Sequence, residues 1–553
     1  MVRRLSGFVL FAVAAGILPA DGIPAIAAAS DPGVRQTARQ IDKLLAEDVF
    51  TKETKPAPRA NDATFLRRVW LDIVGDIPSP EHVTAFLLDP ADDKRERVVR
   101  SLLADPQYGQ NWARYWRDVI LYRRLEDRAQ IVANALVVEL TEKFNKNVPW
   151  NEIASEFITA KGDVREHGDT AIYMAQDSRT EETAAELSRI FLGIQIQCCQ
   201  CHDHPYDSWK REQFHELAAF FPRTSLRPVA TPTRRSFEVV ASDRQARVRP
   251  NAPNADRRST PEHFMPNLDD PAAVGTRVQP KFFLTGAELP FGTPDAARRG
   301  TVSEWMTESP WFATAFVNRL WAELVGEGFY EPIDDIGPER EPSAPKAVEF
   351  LSQRFAESGY DVKWLFRVIC STKAYQRESR PRREVDGTPF TANVAQPLRS
   401  DQLYNALLTA LEADEEENAL GQPGRPMKNV MNLYGRDRTA RKAFEDSFGY
   451  DPSDSRESVT SSIPQALAMM NAPRISTAVR GQRPNTLLGR LIEEIDDDES
   501  LIEELYLRTL SREPTDKEIA IARKYRKEIK DRPAAFEDLF WALLNSAEFS
   551  HRR

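Results

Sequence analysis

The sequence predicts a mostly α-helical protein, built as two helical lobes joined by a small β-containing insert. Three observations lead to this prediction. Apolar residues repeat at helical spacing through most of the chain, capping signals precede several of these repeats, and one stretch between them breaks the pattern. With 553 residues, 41% of them hydrophobic, the chain is long enough to bury two or three cores.

The N-terminal lobe is predicted at residues 36–225. Ser79 and Pro80 have the character of an N-cap and a first helical residue, because proline's fixed φ suits that position and its missing N–H costs nothing there. Ser178-x-x-Glu181 indicates a capping box at the start of a later helix. Helices on this pattern follow one another through the lobe.

The insert is predicted at residues 226–297, where RSFEVVASDRQARVRP alternates like a strand and NAPNADRRSTPEHFMPNLDD is rich in turn residues. The C-terminal lobe is predicted at residues 298–553. Its last helical pair is the clearest, because the capping box Thr515-x-x-Glu518 opens TDKEIAIARKYRKEI, and RPAAFEDLFWALLNSAEF follows.

Residues 1–29 have the layout of a secretory signal peptide. Arg3 and Arg4 precede a short apolar stretch, and Ala27 and Ala29 fit a small-residue cleavage site. We therefore expect an extracytoplasmic protein, periplasmic or secreted, with no membrane span after signal cleavage; a retained N-terminal anchor is the alternative. The net charge of −10, without a basic stripe, disfavours nucleic acid as a partner.

One short run, QIQCCQCHDHPYDSW, holds three of the chain's four cysteines. Cys198-x-x-Cys201-His202 is the pattern that attaches c-type haem. Its spacing has a chemical reason, since two thiols add to the two vinyl groups of one porphyrin while the adjacent imidazole ligates the iron. We therefore predict one haem c, with Cys198 and Cys201 as attachment residues and His202 as the proximal iron ligand.

Two other interpretations of the cluster remain open. A zinc site could use Cys198, Cys201, His202 and His204, although tetrahedral sites usually combine ligands from two separated segments. A Cys-x-x-Cys disulfide or thiol pair is compatible with an extracytoplasmic protein, but it gives His202 no role. His204, which precedes a proline, could instead brace the turn by hydrogen bonding.

The sixth iron ligand would decide whether a haem transfers electrons or binds small molecules. The candidates are Met174, just before the attachment helix, His215 on the helix that follows the motif, and Met265 with its neighbour His263. An isolated methionine is usually a core residue and an isolated histidine usually lies at the surface. The distal ligand is therefore unassigned.

The stretch LGIQIQCCQCHDHPYDSWKREQFHELAAFF resembles the signature of the planctomycete cytochrome c-like domain, a secreted family of unassigned function. DATFLRRVWLDIVGDIPSPEHVTAFL resembles an upstream block of that family. SPWFATAFVNRLWAELVGEGFYEPIDDIG and SGYDVKWLFRVICSTKAYQRES resemble its companion, a planctomycete-specific domain of unknown function. The resemblance implies Cys198, Cys201 and His202 as the haem-type motif.

Cys199 departs from the family pattern, which usually has a small residue without a thiol at this position. It could pair with Cys370 and tie the lobes together, or pack as a small buried apolar residue. A disulfide between Cys199 and either neighbouring cysteine would block haem attachment.

The function expected from these observations is extracytoplasmic electron transfer with a redox partner protein. One alternative is a binding or scaffold protein whose cluster is a disulfide or metal clamp. Another is an enzyme, haem-based or hydrolytic, with its cleft between the lobes, acting on extracellular material. The sequence identifies no catalytic residues, because it contains no G-x-S-x-G, Walker loop or HExxH motif.

Overall fold

The computed structural model describes residues 32–230, 235–244, 261–381, 387–413, 440–454 and 478–553. The predicted signal peptide, residues 1–29, and part of the predicted insert lie outside these ranges. Helices make up most of the regular structure, so the prediction of a mostly α protein is confirmed. Within the described ranges, no helix is both long enough and apolar enough to cross a membrane.

The helices up to residue 225 follow one another through short connections. They are α1 (Pro32–Asp48), α2 (Asp62–Val74), α3 (Pro80–Leu88), α4 (Lys94–Ala104), α5 (Pro106–Leu121), α6 (Ala133–Asn145), α7 (Trp150–Thr159), α8 (Ala171–Ala175), α9 (Thr180–Leu192) and α10 (Arg211–Ala218). Short 3₁₀ helices occur at Asp127–Val132, Gly168–Thr170 and Gln197–Gln200.

The helices after the insert are α11 (Asp295–Glu308), α12 (Pro310–Val325), α13 (Pro345–Glu357), α14 (Val362–Ser371), α15 (Lys373–Gln376), α16 (Ser400–Leu411), α17 (Ala440–Phe448), α18 (Leu487–Glu494), α19 (Asp498–Leu510), α20 (Asp516–Glu528), α21 (Arg532–Leu544) and α22 (Ala547–Ser550).

Two of the three predicted caps are confirmed. The Ser79 hydroxyl accepts a hydrogen bond from the N–H of His82, and Thr515 forms the reciprocal capping box with Glu518. The cap predicted at Ser178 is wrong. Ser178 has φ of 48° and its N–H donates to the carbonyl of Tyr173, so it belongs to the turn after α8, and α9 begins two residues later.

The strands form small, scattered sheets. β1 (Gly162–Asp163), β2 (Thr224–Ala230) and β3 (Arg235–Ala241) form an antiparallel sheet in the order β1-β3-β2. β4 (His263–Met265) pairs antiparallel with β5 (Thr276–Val278), and His263 lies opposite Val278. Further along the chain, β6 (Ser379–Arg380) pairs with β7 (Asn393–Val394), and β8 (Gln396–Pro397) pairs with β9 (His551–Arg552).

Within the described ranges, the buried apolar side chains form two cores. The larger core contains residues from Val34 to Phe390, so α11–α14 pack together with the N-terminal helices. The smaller core contains residues from Leu398 to Phe549, together with Leu71 and Ile77. The cores therefore divide near residue 395, and the boundaries 36–225, 226–297 and 298–553 remain predictions from the sequence.

The chain's C-terminal end is anchored on α2. The buried guanidinium of Arg552 donates to Asp72 at 2.9 Å and to Asn393 at 2.8 Å. Arg67, also buried, donates to the carbonyls of Thr509 and Phe549 at 2.8 and 2.9 Å. Charge-assisted hydrogen bonds in a dry interior are strong, so these two arginines hold the C-terminal segment against α2.

Candidate functional site

The cysteine cluster lies in the connection between α9 and α10. Gly193 ends α9 with φ of 70°, a conformation that side chains rarely tolerate, and a Cβ there would lie 2.7 Å from the side chain of Ile336. The N–H of Ile336 donates to the Gly193 carbonyl at 2.7 Å. The chain therefore leaves the helix in contact with a loop from the second half of the protein.

Cys198 and Cys199 lie in the 3₁₀ helix Gln197–Gln200, and Cys201 follows it directly with a right-handed helical backbone. This helix has three residues per turn, so residues i and i+3 lie on the same side. Cys198 and Cys201 are exposed, whereas Cys199 between them is fully buried in the larger core. All four cysteines have free thiols. The pair required by the predicted attachment motif therefore faces solvent together.

Cys199 is held inward by burial and by its neighbour. Its Sγ lies 3.6 Å from the carbonyl oxygen of Trp209, to which it donates. Burial raises the pKa of the Cys199 thiol to about 12, so at neutral pH it stays protonated and is a poor nucleophile. Cys370 is also buried, and its pKa is likewise raised by burial. The two are separate free thiols, as the buried-residue alternative expects.

His202 is exposed and oriented by the backbone. Its Nδ1–H donates to the carbonyl of Asp203 at 2.7 Å, and no described residue bonds Nε2. The Asp203 carboxylate accepts from the Lys210 ammonium at 2.9 Å and from the Arg211 N–H at 3.1 Å. A histidine whose Nδ1–H is held by a carbonyl presents Nε2 as a metal-binding nitrogen.

His204 braces the turn. Its backbone N–H donates to the Trp209 carbonyl at 2.8 Å, and its Nδ1 accepts from the N–H of Tyr206 at 3.3 Å. These contacts fit the bracing interpretation of His204. Within the described ranges, no group of three or more His, Cys, Asp and Glu side chains is placed to hold a metal ion.

Two of the predicted distal candidates lie behind the motif. His215 is fully buried, and its ring nitrogens contact the Gln200 carbonyl at 3.1 Å and His263 Nε2 at 2.8 Å. Met265 is half-buried on the same strand as His263, and Met174 is buried in the larger core. With both nitrogens of His215 engaged, the structure gives it a supporting position rather than an open ligand position.

The second half of the chain supports the cluster through a buried acid. Asp334 accepts from Gln195 at 2.7 Å and from Arg189 at 2.8 Å, and Arg319 lies 3.4 Å away. Burial by itself raises the pKa of Asp334, but the two guanidinium groups outweigh it and hold that pKa well below its usual range. Asp334 is therefore an ionised structural group, and its neighbour Gln195 leads directly into the cysteines.

A cleft of about 250 Å³ lies where the two halves of the chain meet. Tyr115, Arg117 and Asp118 of α5 line one side, and Arg399 and Glu445 line the other. The salt bridge between Arg117 and Glu445, at 3.0 Å, spans it. This cleft is where an inter-lobe enzyme would bind a substrate, and that alternative remains a prediction.

Sequence reasoning missed the contact between His215 and His263, and the ion pair between Arg189 and Asp334. Helical periodicity placed His215 one position away from the apolar face, yet the side chain is fully buried. The signal that could have found it is the shortage of histidine: the whole chain has seven, three of them in or beside the motif and one in HFMPN. For Arg189 and Asp334 the sequence offers no pairing signal.

The family comparisons agree with the resemblance. Residues 40–225 match PSCyt2, described as a protein of unknown function (DUF1549) and named as planctomycete cytochrome-like. Residues 298–526 match PSD1, also described as a protein of unknown function (DUF1553). The chain therefore carries these two domains in tandem. No curated protein and no solved structure matches it.

Proposed function

We propose that this chain, a tandem PSCyt2 and PSD1 protein, is an extracytoplasmic electron-transfer protein that carries one c-type haem. Cys198 and Cys201 would form the two thioether bonds, and His202 would be the proximal iron ligand. When bound, the haem would supply a one-electron redox centre. The proposal includes a redox partner protein and export directed by residues 1–29.

One observation carries the proposal: the turn displays Cys198 and Cys201 together at the surface and withdraws Cys199. Both outer thiols are unpaired and exposed, as attachment to two vinyl groups requires. His202, the next residue, has Nδ1 committed to a carbonyl at 2.7 Å, which leaves Nε2 for the iron. The donor set therefore fits a c-type haem.

The surface position of the turn affects how a bound haem would be held. Cys198, Cys201 and His202 are all exposed, so these residues would enclose little of a bound haem. Thioether bonds would then hold the haem without requiring a deep pocket. A surface turn, rather than a cavity in the helical core, would then be enough to carry the motif.

The test is expression in a host with the c-type maturation machinery, followed by a pyridine haemochrome spectrum and haem staining on a denaturing gel. A c-type α-band and haem retained on the gel are expected, and both should be lost in Cys201→Ala. Cys199→Ala is the matched control, since it removes a buried thiol two residues away and should keep the haem. A colourless protein from a host whose own cytochromes mature normally would refute the proposal.

A further inference from the structure

The carbonyl of Gln200 lies between the buried thiol and the second exposed thiol, and two side chains of α10 hold it. His215 Nε2–H donates to it at 3.1 Å, and Arg211 Nε–H donates at 3.4 Å. Because they are four residues apart, Arg211 and His215 lie on one face of α10. The peptide group that they hold joins Gln200 to Cys201, the exposed thiol that follows the buried Cys199.

The insert holds His215 in turn. His263 on β4 contacts His215 at 2.8 Å between Nε2 and Nδ1, and the two rings stack with centroids 5.1 Å apart. Since Nε2–H of His215 donates to Gln200, its Nδ1 is the acceptor and His263 is the donor. Burial lowers the pKa of His215, which favours this neutral form. His263 Nδ1 faces Glu181 of α9 at 4.0 Å.

Arg211 is fixed by the same strand, because its Nη2 donates to the carbonyl of Pro266 at 2.6 Å, directly after β4. Both donors to the Gln200 carbonyl are therefore anchored on residues 263–266. His215 and His263 are buried, so water competes little for these hydrogen bonds.

We propose that His263, His215 and Arg211 form a positioning relay that holds the Gln200 carbonyl, so that Cys198 and Cys201 face outward and Cys199 faces inward. The relay deepens the proposed function, on which its haem consequence rests, because only one pair of these thiols has the attachment spacing. Its effect on the thiols is independent of haem. The insert thus has a role at the site, and His215 and His263 act as positioning residues rather than distal ligands.

The haem-independent test uses the full chain, exported without the maturation machinery and kept reduced. Iodoacetamide labelling, read by peptide mass spectrometry, gives the rate at each cysteine. In His215→Leu we expect the Cys199 rate to rise about tenfold, the effect of removing the shorter of the two hydrogen bonds to the Gln200 carbonyl. His215→Gln, whose amide can still donate to the carbonyl, should restore the slow rate.

Cys370 is the internal control, because it is buried far along the chain from this turn. A rise at Cys199 with Cys370 unchanged supports the relay. Equal rises at both thiols, or no rise at either, would overturn it. His82→Leu, a histidine replacement on α3, is a control and should leave both rates unchanged. Arg211→Met removes the other donor to the Gln200 carbonyl, and it is a second test variant that keeps the core side chains intact.

The haem test separates the relay from the proposed function. In the maturation host, His215→Leu should lower the fraction of chains with two thioether bonds about tenfold, and His215→Gln should recover it. A colourless wild-type protein would refute the haem proposal while leaving the labelling test of the relay valid. A wild-type level of doubly attached haem in His215→Leu would overturn the relay while leaving the haem proposal standing.

Discussion

Replacing Asp334 by asparagine tests whether the buried ion pair supports the cysteine turn. Asp334 is 1% exposed, and its carboxylate lies between Arg189 and Arg319, with Gln195 on its other oxygen. Asparagine has nearly the same shape and keeps one acceptor oxygen, but it removes the negative charge. The substitution therefore isolates the electrostatic part of the interaction.

The expected loss of unfolding free energy depends on which acidic partners the two arginines keep after the substitution. Arg189 keeps Glu186 at 2.6 Å, whereas Arg319 has no acidic partner other than Asp334 within the described part of the chain. Removing one partner of a buried ion pair typically costs about 3–5 kcal/mol of unfolding free energy, because a buried charge is left uncompensated. That is a large share of the roughly 5–15 kcal/mol by which a folded domain is stable.

The pH dependence gives the sign of the effect. Because the folded-state pKa of Asp334 lies well below its usual range, its contribution is fully present above the unfolded-state pKa, near 4, and is lost as pH falls toward the folded-state value. The wild-type protein should therefore lose stability more steeply than Asp334→Asn as the pH drops from about 5 to 2.

The assay is urea unfolding followed by tryptophan fluorescence, at pH 7 and then along a descending pH series. Asp335→Asn is the matched control, since Asp335 pairs with Arg340 at 2.7 Å in a partly exposed position and should change stability by less than about 1 kcal/mol. Equal urea midpoints for wild type and Asp334→Asn at pH 7 would refute the reasoning. So would a stability difference that stays constant down to pH 3.

Three further predictions concern the thiols, the C-terminal end and the contact between the two domains. In protein exported without the c-type maturation machinery, native alkylation should label Cys198 and Cys201 alone, and denaturation should expose all four cysteines; rapid native labelling of all four would contradict the burial of Cys199 and Cys370. Arg552→Leu leaves a buried carboxylate unpaired and should cost about 3–5 kcal/mol in urea unfolding, so a loss below about 1 kcal/mol would contradict the anchoring role. A Cβ at Gly337 would lie 1.8 Å from the end of the Asp207 side chain, which can move aside, so Gly337→Ala should cost less than about 1 kcal/mol and that cost should disappear in an Asp207→Ala background; additive effects would contradict direct contact.

The helices could be predicted because their signals are local. Ser79 and Thr515 cap helices through residues three positions away, so the pattern that predicts each cap also contains its partner. Ser178 has the same local pattern, but the chain turns there with positive φ to connect α8 and α9. The packing of two successive helices determines that turn, and a four-residue motif contains no information about this packing.

The cysteine site was only partly predictable for a similar reason. The spacing of Cys198, Cys201 and His202 indicates the motif, and the structure adds that a 3₁₀ turn separates these residues from Cys199. The groups behind the turn come from His263 and Asp334, which are far from the cluster in sequence. Periodicity shows which face of a helix is buried, but it does not show which distant side chain meets that face.

The packing gives a physical reason for the tandem arrangement of the two domains. The loop of PSD1 that contains Asp334 and Ile336 contacts PSCyt2 at Gln195 and Gly193, the residues through which the chain enters the cysteine turn. The larger hydrophobic core also includes side chains from both domains. A PSCyt2 domain alone would leave Arg189 without Asp334 and would expose part of this core. The second domain therefore forms part of the support for the candidate site, so its size does not require a separate catalytic activity.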